Sequence, residues 1–132
     1  MRFSDIPGLP DAKQKLLALV TQNRLPHALL INGPEGSGKL ALGLAFAAFV
    51  QCEQSDLDAC GVCNACVKTF KLIHPDIHYF FPVSGTDATT DESLNDWRKI
   101  VLHNPYLNAN QWQAAIEKEN QRVDRFLQTR SL

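Results

Sequence analysis

Four cysteines fall within fifteen residues, in the order Cys52-x7-Cys60-Gly-Val-Cys63-Asn-Ala-Cys66. Two overlapping C-x-x-C steps and one cysteine upstream can supply four thiolates to one ion. Gly61 eases the tight turn after Cys60. A site closed by four sulfurs leaves no open position for a substrate, so the chemistry it suits is structural Zn²⁺ rather than catalytic zinc. Four thiolates around one Zn²⁺ would take the formal charge from -1 to -3. Rival uses of the same residues are an iron–sulfur cluster, although the chain has no other redox feature, or a redox dithiol that leaves two cysteines unexplained. His74 and His78 lie close in sequence, but four cysteines already fill a tetrahedral site. Both, like His27, read as ordinary polar residues beside a strand.

A second constellation is Gly33-Pro34-Glu35-Gly36-Ser37-Gly38-Lys39-Leu40, which matches G-x-x-x-x-G-K. In such a loop, glycines let successive backbone N–H groups curl around an anion. The following helix adds its N-terminal dipole, and the lysine reaches the outer phosphates. ATP is the cofactor this pattern would take. Where a Ser or Thr hydroxyl should bind magnesium stands Leu40, which cannot ligate a metal. No apolar strand ending in paired carboxylates appears downstream either. Charge developing on a transferred phosphate would go uncompensated, so the expectation is slow or absent hydrolysis and no catalytic residue in this chain. The bland alternative is a glycine-rich turn that merely starts a helix.

These sites need elements to hold them. Apolar Leu16, Leu17 and Val20 recur at helical spacing between Pro10 and Arg24. His27-Ala-Leu-Leu-Ile-Asn32 is a short apolar run closed by Gly33-Pro34, which predicts a buried strand. Leu40 to Val50 is apolar nearly all round and predicts a buried helix. After the cysteines, helix resumes over Val67 to Ile73 and Pro75 stops it. Ile77-His-Tyr-Phe-Phe81 predicts a second strand, and Gly85 to Ser93 a polar, exposed, mobile loop. Helices are predicted over Leu94 to His103 and Asn110 to Gln128, with Trp97, Trp112, Ile116, Val123, Phe126 and Leu127 inward. Arg122, Arg125 and Arg130, with Glu119 and Asp124 beside them, read as a solvated face.

Composition bounds the rest. The 132 residues carry 13 Lys+Arg against 14 Asp+Glu, with 45% hydrophobic and 20% charged residues. That is the profile of a globular chain with room for one core. A near-neutral balance removes the electrostatic argument for direct DNA binding. The N-terminus shows no signal-type run, and the longest apolar stretch is 11 residues, Leu40 to Val50. The expected address is therefore the cytoplasm, where thiols stay reduced.

The runs Phe3-Ser-Asp-Ile-Pro-Gly8 and Asn23-Arg-Leu-Pro-His-Ala-Leu-Leu-Ile-Asn-Gly-Pro-Glu-Gly-Ser-Gly-Lys39, followed by Cys-Gly-Val-Cys-Asn-Ala-Cys66, resemble the bacterial clamp-loader ATPases of the AAA+ superfamily. His74-Pro75-Asp76 and the aromatic run after it look like the delta-prime branch of DNA polymerase III subunits rather than the gamma/tau branch. The degraded magnesium position points the same way. The resemblance covers roughly Phe3 to Phe81. It implies an α/β fold, a partial P-loop NTPase (AAA+-like) core with a zinc-binding insertion and extra C-terminal helices. Nucleotide binding falls on Gly33 to Leu40 and zinc on Cys52, Cys60, Cys63 and Cys66, with Phe3 to Gly8 near the adenine.

On this reading, residues 1–82 form a truncated P-loop domain with the zinc module at 52–66. Residues 83–132 form a polar loop plus a helical segment, an insertion or a truncated end. The implied role is structural, in an assembly with other clamp-loader subunits and the sliding clamp, reaching primed DNA indirectly. The family's later acidic motif, sensor residues, arginine finger and helical collar are absent from these residues. Two strands would leave open edges, so the expected chain is an N-terminal piece that self-associates. The alternatives are an active ATPase of the gamma/tau type and a small zinc-binding interaction module that binds no nucleotide. A small P-loop kinase would need a metal-binding hydroxyl and lid arginines, neither of which is evident.

Overall fold

The computed structural model describes residues 1–54, 56–83 and 88–130, with side chains up to 119. The inward positions expected at Val123, Phe126 and Leu127, and the basic edge at 122–130, therefore lie outside the described side chains. Among the described residues, a short 3-10 turn at Phe3–Asp5 is followed by five helices: α1 (Pro10–Thr21), α2 (Lys39–Gln51), α3 (Asn64–Phe70), α4 (Thr90–His103) and α5 (Ala109–Arg130). The chain divides into two compact units, Met1–Ile77 and His78–Leu132.

The α/β expectation fails. Among the described residues there is no β-strand and no sheet, and neither anticipated strand forms a ladder. The reason is that a strand is completed by its neighbour, since its N–H and C=O groups point sideways to a partner. Without one, the run 27–32 stays irregular. Leu25, Leu29 and Leu30 are 49%, 44% and 88% exposed, and only Ile31 packs inward, onto the core that includes α2.

In the first unit, α2 is the centre of the core. Ala41, Leu42, Ala45, Ala48 and Phe49 are all buried. The first three and Phe49 meet Phe3, Ile6 and Leu16, while Ala48 packs against the cysteine module. Phe3 and Phe49 place their rings 5.8 Å apart. Truncating Phe49 to alanine would remove about 3–5 kcal/mol of stability. Because one side of α2 packs on the N-terminal core and another on the cysteine module, the helix is apolar nearly all round.

In the second unit, the aromatic run keeps a two-residue period without a ladder. Tyr79 and Phe81 turn inward while Phe80 stays 85% exposed. Tyr79 lies 4.8 Å from Trp97, and Phe81 stacks on Trp97 at 5.1 Å and meets Trp112 edge-on at 5.2 Å. The Trp112 indole N–H donates to the Pro82 carbonyl at 2.6 Å. Aromatic burial, rather than cross-strand hydrogen bonding, holds this segment.

The expected loop is shorter than its composition suggested. Residues 84–87 lie outside the description, but Thr90 to Ser93 are already helical. Glu92 accepts from the backbone N–H of Thr89 at 3.4 Å, half of a capping box. Helix α5 starts on a reciprocal cap. Asn108 Oδ1 accepts from Gln111 N–H at 2.8 Å, and Gln111 Oε1 accepts from Asn108 N–H at 2.9 Å.

Candidate metal centre and phosphate-loop segment

The cysteine cluster is built on two helix ends. Cys52 is the C-terminal cap of α2, and Cys63 is the N-terminal cap of α3. Between them the chain turns through Gly61, whose φ of 78° lies in the left-handed region. A side chain there would also approach the Phe70 ring and the Arg2 guanidinium. The four Sγ atoms all lie within 4.8 Å of one another, and those of Cys60 and Cys66 are 3.9 Å apart. A tetrahedral site with sulfur bonds of about 2.3 Å has edges of about 3.8 Å, so small side-chain shifts would close four sulfurs around one ion.

The surroundings suit thiolates. Backbone N–H groups donate to sulfur in sequence: Cys60 to Cys52 Sγ at 3.3 Å, Cys63 to Cys60 Sγ at 3.4 Å, and Cys66 to Cys63 Sγ at 3.4 Å. N–H donation from Val62 and Cys63 pulls the Cys60 thiol down to about 6. Burial pushes Cys66, which is fully enclosed, up to about 12. Four sulfurs, two of them on buried residues, form a donor set that could hold a metal ion. The histidines set aside in the sequence are outside this cluster, and His74 Nδ1 instead accepts from Asp76 N–H at 3.2 Å.

Sequence reasoning passed over Asp58, which ties the cysteine loop to the N-terminal turn. Its Oδ1 accepts from Phe3 N–H at 3.0 Å and from its neighbour Ala59 N–H at 2.8 Å, and its Oδ2 from Ser4 N–H at 3.0 Å. Partial burial alone would raise its pKa, but the N–H groups of Ser4, Phe3 and Ala59 hold the carboxyl below the ordinary range. Nothing local could have revealed this tie, because Ser4 and Phe3 lie 54 and 55 residues away in sequence.

The glycine loop leads into α2. Gly36 and Gly38 have φ of 72° and 84°, and Gly38 forms the helix N-cap. Ser37 N–H closes a turn on the Pro34 carbonyl at 3.3 Å, and Gly33 N–H donates to Asn32 Oδ1 at 2.9 Å. A Cβ on Gly33 would sit 2.9 Å from Ser37 Oγ, so a side chain there would require the Ser37 hydroxyl to rotate away. The Lys39 ammonium reaches back to the Gly33 carbonyl at 2.7 Å. Glu35 sits on the exposed rim, and Leu40 lies half-buried in the first turn of α2. This structure thus brings Gly33 and Lys39 together across the loop.

Residues 8–125 match the family model described as DNA polymerase III, delta subunit. The chain belongs to that family. It is 36% identical over 104 residues to the DNA polymerase III subunit tau of Bacillus subtilis, covering 79% of this chain and 18% of that one. It is 32% identical over 73 residues to the delta' subunit of the same organism, covering 55% and 22%. Against the delta' subunit of Escherichia coli it is 31% identical over 102 residues, covering 71% and 30%. The chain therefore spans less than a third of the length of these relatives. No solved structure matches it.

Among the described residues, no helix of this family member is long and apolar enough to cross a membrane. Relatives of both the delta' and the tau kind match the chain.

Proposed function

We propose that this chain supplies the glycine-loop and cysteine-bearing portion of a delta-prime-like subunit of the replicative clamp loader. In this role it acts in the cytoplasm as a structural and interaction element while the sliding clamp is loaded during DNA replication. The observation that carries the proposal is the family match across residues 8–125. Its partners would be other clamp-loader subunits and the sliding clamp, with primed DNA reached through the assembly.

Cys52, Cys60, Cys63 and Cys66 would hold one structural Zn²⁺, supported by the convergence of their sulfurs. The ion would supply no reaction, only a cross-link between the end of α2 and the start of α3. The segment Gly33 to Leu40 would bind ATP through backbone N–H groups and Lys39, and Leu40 would leave magnesium weakly held. Hydrolysis by the chain alone should be slow or absent.

Expressing a tagged chain in its own host and identifying co-purifying proteins tests the assembly. Enrichment of gamma/tau-type and delta-type subunits over an untagged control is expected. Finding none of them would contradict the role. The higher identity to the tau subunit favours one alternative, an active ATPase. It predicts magnesium-dependent turnover that Lys39→Ala abolishes.

A further inference from the structure

We infer that Asp58 is a positioning residue that transmits the metal state of the four cysteines to the N-terminal segment. The inference rests on the metal reading of the cysteine cluster and adds a consequence for another part of the chain.

The argument begins with connectivity. Asp58 stands two residues before Cys60 in the loop between α2 and α3, so fixing Cys60 restricts the backbone at Asp58. Asp58 leaves that loop to accept two N–H groups of the 3-10 turn, from Phe3 and Ser4, while Ala59 N–H holds the carboxylate from its own side. Such N–H groups at the start of a turn have no partner within it. A carboxylate that accepts them is a strong, directional tie.

A second contact runs the same way, because Arg2 lies against the Gly61 turn and against Asp5, 3.8 Å from Arg2 Nε. From there the N-terminal segment enters the core. Phe3 and Ile6 are buried, Phe3 against Phe49 of α2, and the Lys13 ammonium of α1 donates to the Ile6 carbonyl. The cysteine loop thus grips the N-terminal segment from one side while α1 and α2 hold it from the other. An ion held by the four sulfurs would restrict the loop that carries Asp58, and the two backbone ties would carry that restriction to Phe3 and Ser4. By linkage, breaking the ties must in turn weaken metal binding by the same factor.

The test uses the full chain, ¹⁵N-labelled, loaded with Zn²⁺ and then stripped with a chelator. Amide exchange at Phe3 and Ser4 is followed by NMR, with α1 amides as the control. Zinc affinity is measured separately by chelator competition. Stripping zinc should speed exchange at Phe3 and Ser4 by about tenfold while α1 stays protected. Asp58→Ala should give fast exchange even with zinc bound, and should weaken zinc affinity by about tenfold. Asp58→Asn, nearly isosteric, keeps one acceptor but turns an NH₂ toward Ser4 N–H, so it should release Ser4 more than Phe3.

Zinc bound with Phe3 and Ser4 exchange unchanged on stripping would overturn the linkage and leave the metal reading intact. Equal loss of protection in α1 would overturn it as a local device. Failure to bind zinc would overturn both.

Discussion

The Lys39 ammonium donates to the carbonyl oxygen of Gly33 at 2.7 Å, closing the glycine loop on its own first residue. This charge-assisted bond uses one of the three ammonium N–H donors and holds Lys39 over the loop. The other two donors remain for a phosphate bound in the loop. Lys39→Ala should weaken ATP binding by at least about tenfold, in line with about 1.5–3 kcal/mol for a hydrogen bond to a charged group. Isothermal titration of the two proteins checks this, and equal affinity would mean that the loop does not contact phosphate through Lys39.

Cys60 and Cys66 should differ sharply once reduced and metal-free. Cys60 is pulled down to about 6 by backbone N–H donors, so at pH 7 it is mostly thiolate, whereas burial holds Cys66 near 12 and protonated. The thiolate is the nucleophile. Iodoacetamide followed by peptide mass mapping should therefore modify Cys60 well before Cys66. Lowering the pH through 6 should slow the modification of Cys60 as its thiolate is protonated, with Cys66 slower still. Added Zn²⁺ should protect all four cysteines.

Tyr79 gives a pH prediction of the opposite kind. Its hydroxyl is buried with no hydrogen-bond partner among the described residues, and burial raises its pKa above the ordinary value of 10.0. A raised folded-state value means that the neutral form is favoured by folding. The associated stability is complete below pH 10 and declines as pH rises beyond it. Tyr79→Phe should remove that alkaline decline and raise stability by about 1 kcal/mol, because an unsatisfied polar group leaves the aromatic cluster. Denaturant unfolding at pH 8 and pH 11 is the check.

The exposed run at Leu25, Leu29 and Leu30 predicts concentration-dependent self-association of the isolated chain. Leu30, at 88% exposure, contributes little to the described core. Leu30→Lys should lower association in sedimentation velocity with stability unchanged to within about 0.5 kcal/mol. A clean monomer across the concentration range for both proteins would contradict the expectation.

What could be read directly from residues divides along local and non-local lines. Helices α1 and α2 were legible because their apolar spacing and flanking Pro10 and Gly38 act within a turn or two. The cysteine cluster was legible for the same reason, its steps being two C-x-x-C turns and one helix end. The two strands were misjudged at 27–32 and 77–81, because an apolar run has the right side-chain period with or without a partner. At Tyr79 and Phe81 the period was correct and only the bonding differed.

The start of α4 was missed although Thr89 and Glu92 spell a capping signal, since the surrounding Thr and Asp residues read as loop. Asp58 was beyond reach. An aspartate in a polar loop looks like any other until the chain brings Phe3 and Ser4 beside it.

The most direct test of the central claim is a native mass spectrum of the purified chain, with and without Mg-ATP. The account predicts one zinc per chain, lost when Cys63 is changed to serine, and a nucleotide adduct that disappears in Lys39→Ala. A chain that carries no zinc after expression in zinc-replete medium, and takes up no nucleotide, would contradict it.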